Sequence, residues 1–324
     1  MTDILALLVP VLGMIALGYG AGHFRLVAGD GLAALEFLAF AVALPALFFH
    51  LITTTPAGGP VAGFGGWSFV ATTTFATYCA FALAFSIGAL INGGNVPEAT
   101  IEGLAGSYSN TLALGPALAL GAFGASAAAP TALILTCDTV LIIIVTPLMM
   151  ALGGTTRSDP RALGEAIGRQ LLLNPPVVAT ILALIALGLH WQLPGPLDGL
   201  AAFAGQAAAP AALFLVGARL ARRTIEPVSL EVPLVVAAKL VAHPLIVYLL
   251  LGWIGGFDAT WVKVAVLLAA LPPAAAVAGL ADRYRVYQRG AAQAVLYGSA
   301  AAIVTGTIAV VLLMLNALPA DPFH

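Results

Sequence analysis

Two stretches decide the fold: Gly106-Ser107-Tyr108-Ser109-Asn110-Thr111-Leu112-Ala113-Leu114-Gly115-Pro116-Ala117 and Ala270-Leu271-Pro272-Pro273-Ala274. Each lies inside an apolar segment long enough to cross a bilayer, and each carries proline, which lacks the N–H that a continuous helix needs. Each proline also leaves the carbonyl four residues before it without its helical partner, so we predict a helix break at both stretches. Unpaired backbone groups at membrane depth are tolerated beside a cavity, water or a ligand, and paired breaks in two halves indicate a substrate site.

The composition predicts a polytopic membrane protein. Of the 324 residues, 61% are hydrophobic and 8% are charged, and the mean hydropathy is +1.05. Such a chain cannot cover a water-soluble surface. Both cysteines, Cys79 and Cys137, fall in apolar segments, which argues against a disulfide framework or a metal site. A net charge of −2 without a basic patch argues against nucleic-acid binding, and no phosphate loop or catalytic set of side chains indicates a cofactor or an enzyme.

Hydropathy predicts ten spans of about 20 to 25 residues, a length that suits the hydrocarbon core of a bilayer. The predicted spans are 3–22, 32–52, 67–91, 101–121, 128–151, 171–190, 198–219, 231–254, 260–281 and 291–316. The longest polar connection, 153–170, divides the chain into two sets of five, 1–152 and 171–324.

The positive charges predict the orientation. With ten spans, every arginine falls on one face, and the positive-inside rule makes that face cytoplasmic. Both termini then lie outside, and because five is odd, the second half runs opposite to the first, which is an inverted repeat. The short match between Pro10-Val11-Leu12 and Pro176-Val177-Val178 agrees with such a repeat. A composition rich in Ala, Gly and Arg is typical of a GC-rich bacterial source, so we expect the bacterial inner membrane.

The residues 108–116, with Ala270-Leu271-Pro272 and Ala281-Asp282-Arg283-Tyr284, resemble the paired crossover helices of the auxin efflux carrier family, which includes bacterial organic-acid carriers. The resemblance implies a fold shared with bile-acid sodium symporters: a scaffold of spans 1, 2, 6 and 7 and a core of spans 3 to 5 and 8 to 10. Spans 4 and 9 would be broken helices that cross each other within the core. The core would move across the membrane in an elevator-like cycle of alternating access. Val277 stands where plant auxin exporters carry a further proline, so the second break is expected at Pro272-Pro273.

The candidate substrate-binding residues lie at the two breaks. Asn110 matches the family's crossover asparagine, and its amide can donate to a carboxylate. The alternative for Asn110 is an interhelical hydrogen bond. The hydroxyl groups at the first break could contact substrate or bond back to their own helix. The full predicted set is Ser107, Ser109, Asn110, Thr111, Gly115, Pro116, Pro272 and Pro273.

Two ionisable residues inside spans are candidates for ion coupling. Asp138 lies near the middle of span 5 and Lys239 lies deep in span 8, where a charge is costly and a functional role is the default hypothesis. The two could form a switchable pair. The alternative is that Lys239 snorkels to the interface and Asp138 stays protonated. His243 is interpreted as a packing residue, and Glu36 and Glu102 as solvated side chains near the cytoplasmic ends of their spans.

These observations predict a secondary active transporter of small organic anions, with malonate or malate as examples that the resemblance supplies. Half-helix N-termini facing the site would each present about half a positive charge. Proton coupling or the membrane potential would drive transport; a sodium-coupled bile-acid-type symporter and an auxin-like exporter are the alternatives within the superfamily. A channel or a membrane scaffold is the alternative from another class. The expected partners are the anion, protons and lipid, and a homodimer through the scaffold helices is an open possibility.

Overall fold

The computed structural model describes residues 2–54, 64–155, 160–222, 228–315 and 317–319, and these ranges contain α-helices and no β-strand. The helices are α1 Thr2–His23, α2 Gly29–Glu36, α3 Leu44–Thr53, α4 Phe64–Ile91, α5 Val96–Ser107, α6 Thr111–Phe123, α7 Ala128–Leu152, α8 Pro160–Leu172, α9 Pro175–Gly188, α10 Gly195–Gly205, α11 Ala208–Leu220, α12 Glu231–Ala237, α13 His243–Ile254, α14 Ala259–Ala269, α15 Ala275–Tyr284 and α16 Gln288–Met314.

Seven helical segments of the described residues are long and apolar enough to cross a membrane. They are Leu5–His23, Gly29–Thr53, Gly66–Ile91, Thr111–Leu152, Gly195–Leu220, Glu231–Ile254 and Gln288–Met314. The helix Ala259–Ala269 is equally apolar in character but shorter. The prediction of an all-helical, multi-pass membrane protein is confirmed at this level. The finer arrangement of ten spans in an inverted repeat stays a prediction.

Two helices contain a wider, π-helical turn. Phe37–Ala43 joins α2 to α3, and Ala238–Ala242 joins α12 to α13. In both cases proline is the second residue of the following helix, Pro45 in α3 and Pro244 in α13. Since proline cannot donate the usual backbone hydrogen bond, a local π turn is one way to accommodate it within a membrane helix.

The first of two compact units contains Met1–Trp67, Thr111–Thr136 and Leu172–Thr224. Here α1 packs along α11, and glycine permits close contact: a Cβ on Gly18 would collide with the main chain of Phe214. Large buried side chains, including Leu44 and Phe48, form a core between α3 and its neighbours. The unit holds two ion pairs, Glu36–Arg219 and His50–Asp198, the latter at 2.6 Å between Nδ1 and Oδ1.

The second unit contains Ser68–Asn110, Cys137–Leu171 and Ile225–His324. Within it α5 contacts α12, α15 and α16. Small residues again allow this packing, because a Cβ on Gly103 would lie 2.7 Å from Cε2 of Phe81. Side chains from several helices close the core, among them Ile101, Leu104, Met150, Val235 and Val277. Other helices of this unit therefore surround α5, and most of the polar residues of α5 are buried.

Candidate functional site

Both predicted helix breaks are present. Between α5 and α6 the chain is extended over residues 108–110, and between α14 and α15 residues 270–274 are not helical. The second break coincides with Pro272-Pro273, as expected. The first does not coincide with Pro116, which lies inside α6, so the prediction that this proline interrupts the helix is wrong. Proline within a membrane helix is tolerated where local adjustments satisfy the carbonyl that it leaves free.

The two breaks bind each other through their backbones. The N–H of Asn110 donates to the carbonyl of Pro272 at 2.8 Å, and the N–H of Ala274 donates to the carbonyl of Tyr108 at 3.0 Å. The result is an isolated antiparallel bridge between Ser109 and Pro273. Each interrupted segment thereby satisfies backbone groups that the other exposes. The second unit accordingly contains two helix interruptions that meet face to face.

The structure places five of the predicted binding residues together in the second unit: Ser107, Ser109, Asn110, Pro272 and Pro273. Ser107 donates its hydroxyl proton to the carbonyl of Gly103 at 2.8 Å, which fits the alternative of a bond within its own helix. The Ser109 hydroxyl is buried and has no hydrogen-bond partner. Asn110 uses its backbone for the bridge and keeps a half-buried side chain. Ser109 and Asn110 are therefore the polar side chains at the break that are best placed to meet a ligand.

The other three predicted residues, Thr111, Gly115 and Pro116, lie on α6, which belongs to the first unit. Thr111 is buried, and its hydroxyl has no hydrogen-bond partner. Gly115 and Pro116 are also buried and offer no side-chain polar group. Among these three residues, only Thr111 presents chemistry that could recognise a polar ligand.

The start of α15 is open for an anion. Its N-cap is Ala274, which has no side-chain oxygen to satisfy the first N–H groups, and its first turn contains no acidic residue. The first N–H groups of a helix have no partner inside the helix and carry a partial positive charge. Because Ala274 also takes part in the bridge, this helix end lies directly beside Ser109 and Pro273. The arrangement supplies backbone donors for a carboxylate without any lysine or arginine.

Lys239 is fully buried on the π turn between α12 and α13, so the alternative that it snorkels to the interface is wrong. Its Nζ donates to the carbonyl of Ala269 at 2.5 Å and lies 3.1 Å from Nδ1 of His243. Ala269 is the last residue of α14, and the final carbonyls of a helix carry partial negative charge. Lys239 therefore stabilises the helix end that immediately precedes the second break.

Asp138 is also buried, in the part of α7 that belongs to the second unit. Its carboxyl group and the ammonium of Lys239, both among the described residues, do not form an ion pair within 4.0 Å in this conformation. The hydroxyl of Thr77 donates to the carbonyl of Thr73 at 3.1 Å, and both Thr77 and Lys239 lie close enough to Asp138 to act on its carboxyl group. Asp138 and Lys239, the predicted switchable pair, are therefore neighbours that are not ion-paired in this conformation.

Two further polar residues, Thr77 and His243, lie close to Asp138 and Lys239. Nδ1 of His243 lies 3.1 Å from Nζ of Lys239, its Nε2 lies 3.4 Å from the Thr77 hydroxyl, and Thr77 is close to Asp138. His243 was interpreted as packing, but it joins a buried polar network. The available signal was the spacing of Lys239 and His243, since residues four apart share one face of a helix.

Comparison with known proteins identifies the family. The profile described as "Membrane transport protein", which represents the auxin efflux carriers, matches residues 3–310. The chain is also 38% identical over 323 residues to a Rhizobium meliloti (strain 1021) protein named "Putative malonate transporter", with 100% of each chain covered. These similarities indicate a transporter and not an enzyme. With two bridged helix interruptions in its second unit and a family match along nearly its whole length, the chain belongs to the auxin efflux carrier family of membrane transport proteins.

Proposed function

We propose that the protein is a proton-coupled secondary transporter of small dicarboxylate anions of the malonate type. The observation that carries this proposal is the backbone bridge between two broken helices, at Tyr108 to Asn110 and Pro272 to Ala274. Broken membrane helices whose free backbone groups meet are the usual setting of a transporter's substrate site. The name of the Rhizobium meliloti relative supports malonate as the first substrate to test.

Recognition of the anion would depend on uncharged donors. The two breaks contain no lysine or arginine, so the amide of Asn110, the hydroxyl of Ser109 and the free N–H groups at the start of α15 would hold the carboxylates. A carboxylate gains from such donors because charge-assisted hydrogen bonds are stronger than neutral ones. This donor set favours an anion over a cation or a neutral sugar.

In this mechanism the protein has ten spans arranged as an inverted repeat. Its halves, 1–152 and 171–324, are joined by a cytoplasmic linker at 153–170. Two helix interruptions, one in each half, support the repeat. Spans 1, 2, 6 and 7 of the proposed scaffold fall in the first compact unit, and spans 3 and 8 to 10 of the proposed moving core fall in the second. The first unit also contains Thr111–Thr136, which belongs to spans 4 and 5. The distribution of arginine supports a bacterial inner-membrane protein with both termini outside, and a dimer would form through the scaffold spans.

Coupling would act through the buried network of the second unit. A proton on Asp138 removes the negative charge that attracts the Lys239 ammonium, whereas its loss restores that attraction. Lys239 binds the carbonyl of Ala269, directly before the second break, so a shift of Lys239 would reach the substrate donors at Ala274. His243 and Thr77 would link Asp138 and Lys239 by hydrogen bonds during this exchange.

The test is uptake of radiolabelled malonate by proteoliposomes under an imposed pH gradient and, separately, under an imposed sodium gradient. We expect the pH gradient to drive accumulation in the wild-type protein, and Asp138→Asn to abolish it. Asp198→Asn is the matched control, because it makes the same chemical change in an ion pair of the first unit. Accumulation driven by sodium, or full pH-driven accumulation in Asp138→Asn, would refute the coupling mechanism. Preference for cations or sugars in a binding screen would refute the substrate class.

A further inference from the structure

Glu102 is a buried carboxyl group that the proposed substrate site does not use. It lies on α5 and is fully buried in the second unit, contrary to the expectation that it is solvated. The side-chain amide of Asn92 donates to its Oε1 at 2.9 Å. Its other oxygen, Oε2, is buried and has no hydrogen-bond partner. An ionised carboxylate in this setting is strongly disfavoured, so the unpartnered oxygen needs a ligand.

The space around this oxygen decides which ligand fits. Oε2 packs directly against Gly88, where a Cβ would overlap the carboxyl group of Glu102. A metal cation would need several oxygen ligands around it, and the side of Oε2 facing Gly88 leaves no room for one. At Oε1 the neighbouring group is an N–H donor of Asn92, which also opposes a cation. A proton needs no additional space and is the ligand that this packing admits.

Tyr287 provides a connection from Glu102 towards solvent. Its hydroxyl donates to Oε1 of Glu231 at 3.1 Å and lies close to the carboxyl group of Glu102. Glu231 is the first residue of α12 and is only half-buried. Burial, together with the charges of Glu102 and Glu231, raises the pKa of Tyr287, so its phenol stays neutral and keeps the proton that a relay requires.

The position of Tyr287 is held by an unusual backbone. Its φ is 51°, in the left-handed region that a bulky residue seldom adopts. Its ring packs on Gly290, where any side chain would displace it. Strained residues persist where the surrounding structure overdetermines them, often at functional sites. In this conformation the Tyr287 hydroxyl reaches the carboxyl group of Glu231.

Two acidic side chains of the described residues act on Glu102 through their charge. Glu98 lies on the same helix, and Glu231 approaches from α12. Tyr287, at the start of α16, is the other titratable group that faces it. Carboxylates repel a further negative charge, so the two acidic neighbours favour a neutral Glu102. This environment differs from that of Asp138, which has a lysine in the same unit.

We propose that Glu102 is a proton-binding site and that Tyr287 and Glu231 form its path to solvent. In the transfer step, the O–H bond of the Glu102 carboxylic acid breaks and its proton moves to the Tyr287 oxygen. The original phenolic proton of Tyr287 moves at the same time to Oε1 of Glu231. One proton is transferred in total, the phenol is regenerated and no group is oxidised. The site is separate from Asp138 and does not depend on the substrate.

Infrared spectroscopy of the purified protein in liposomes at neutral pH tests the proton on Glu102. A buried, protonated carboxyl group gives a C=O stretching band, and we expect Glu102→Gln to remove it. Glu98→Gln is the matched control on the same helix and should leave the band in place, as should Asp138→Asn. If Glu102→Gln leaves the spectrum unchanged, Glu102 is ionised and the proposal is wrong. If added sodium, potassium or calcium removes the band, Glu102 binds a cation instead.

The rate at which the band shifts after transfer into D₂O tests the path. We expect Tyr287→Phe and Glu231→Gln to slow this exchange several-fold while preserving the band, because each variant removes one step of the relay and leaves Glu102 in place. Unchanged exchange in Tyr287→Phe would rule out the path. These spectra do not require transport, so a protein that fails to move malonate could still show the Glu102 band.

Discussion

The two compact units of the chain treat their ionisable side chains differently. In the first unit, the described contacts between acidic and basic side chains are direct and partly exposed: Glu36 with Arg219 and His50 with Asp198. In the second unit, four of the described ionisable groups are buried without an ion pair: Glu102, Asp138, Lys239 and His243. Buried, uncompensated charges are costly and are retained in membrane proteins mainly for function. The comparison indicates that the first unit is built for packing and that the second holds groups whose protonation can change.

The largest expected effect is on stability in the second unit. Lys239→Ala removes a buried chain and leaves the carbonyl of Ala269 without its donor, which we expect to destabilise the protein by about 3 to 5 kcal/mol. Lys239→Met is the control, because it keeps most of the volume and loses only the ammonium; its cost should be about 1 to 3 kcal/mol. The unfolding free energies of both variants can be measured in mixed detergent micelles. Wild-type stability in Lys239→Ala would show that the ammonium contributes nothing to this unit.

A second expected effect is on ligand affinity. Asn110→Ala removes one desolvated hydrogen bond to an anion, which should weaken malonate binding by about ten-fold to more than a hundred-fold, or 1.5 to 3 kcal/mol. The control is Asn174→Ala, which removes an amide that caps α9 in the first unit. That variant should lose about 1 kcal/mol of stability and keep its affinity. Calorimetric titration that finds equal affinity for wild type and Asn110→Ala would make Asn110 structural.

A third effect concerns helix packing in the first unit. Gly18→Ala places a methyl group against the main chain of Phe214, which cannot move aside as a side chain could, so we expect a loss of about 1 to 3 kcal/mol. Gly20→Ala in the same helix meets no atom within 4 Å and serves as the control. Equal thermal stability of the two variants would contradict the close packing of α1 on α11. Neither variant should alter malonate affinity.

The smallest expected effect is on the partly exposed ion pair. Glu36→Gln breaks the contact with Arg219, and a pair at this degree of exposure contributes at most about 1 kcal/mol. We expect the unfolding free energy to change by less than that amount, and the change to shrink as salt is added. If Glu36→Gln lowered the unfolding free energy as much as Lys239→Ala, the partly exposed pair of the first unit would be as important for stability as the buried lysine of the second.

The sequence predicted features that follow from local chemistry. Pro272 and Pro273 cannot donate backbone hydrogen bonds, so the second break could be located from residue types alone. The predicted position of the first break was too close to Pro116, because the actual position depends on the bridge with Pro272 and Ala274, which are distant in the sequence. Sequence patterns do not reveal such long-range contacts.

The buried polar groups illustrate the same limit. Asp138 and Lys239 stood out because apolar segments seldom contain charge, but their partners could not be identified. Lys239 binds a backbone carbonyl on α14. Every residue has such a carbonyl, so the residue types could not identify this partner. Glu102 was expected near solvent because it lies close to a predicted span end, whereas Asn92, Gly88 and the packing of neighbouring helices on α5 enclose it.

The bridge between the two breaks has a consequence for how the family can diversify. Its two hydrogen bonds use only main-chain atoms of Tyr108, Asn110, Pro272 and Ala274. Substituting the side chains of Ser109 or Asn110 therefore leaves both hydrogen-bonding groups in place. The side chains at these two positions can change over generations, while the backbone geometry of the bridge is inherited unchanged.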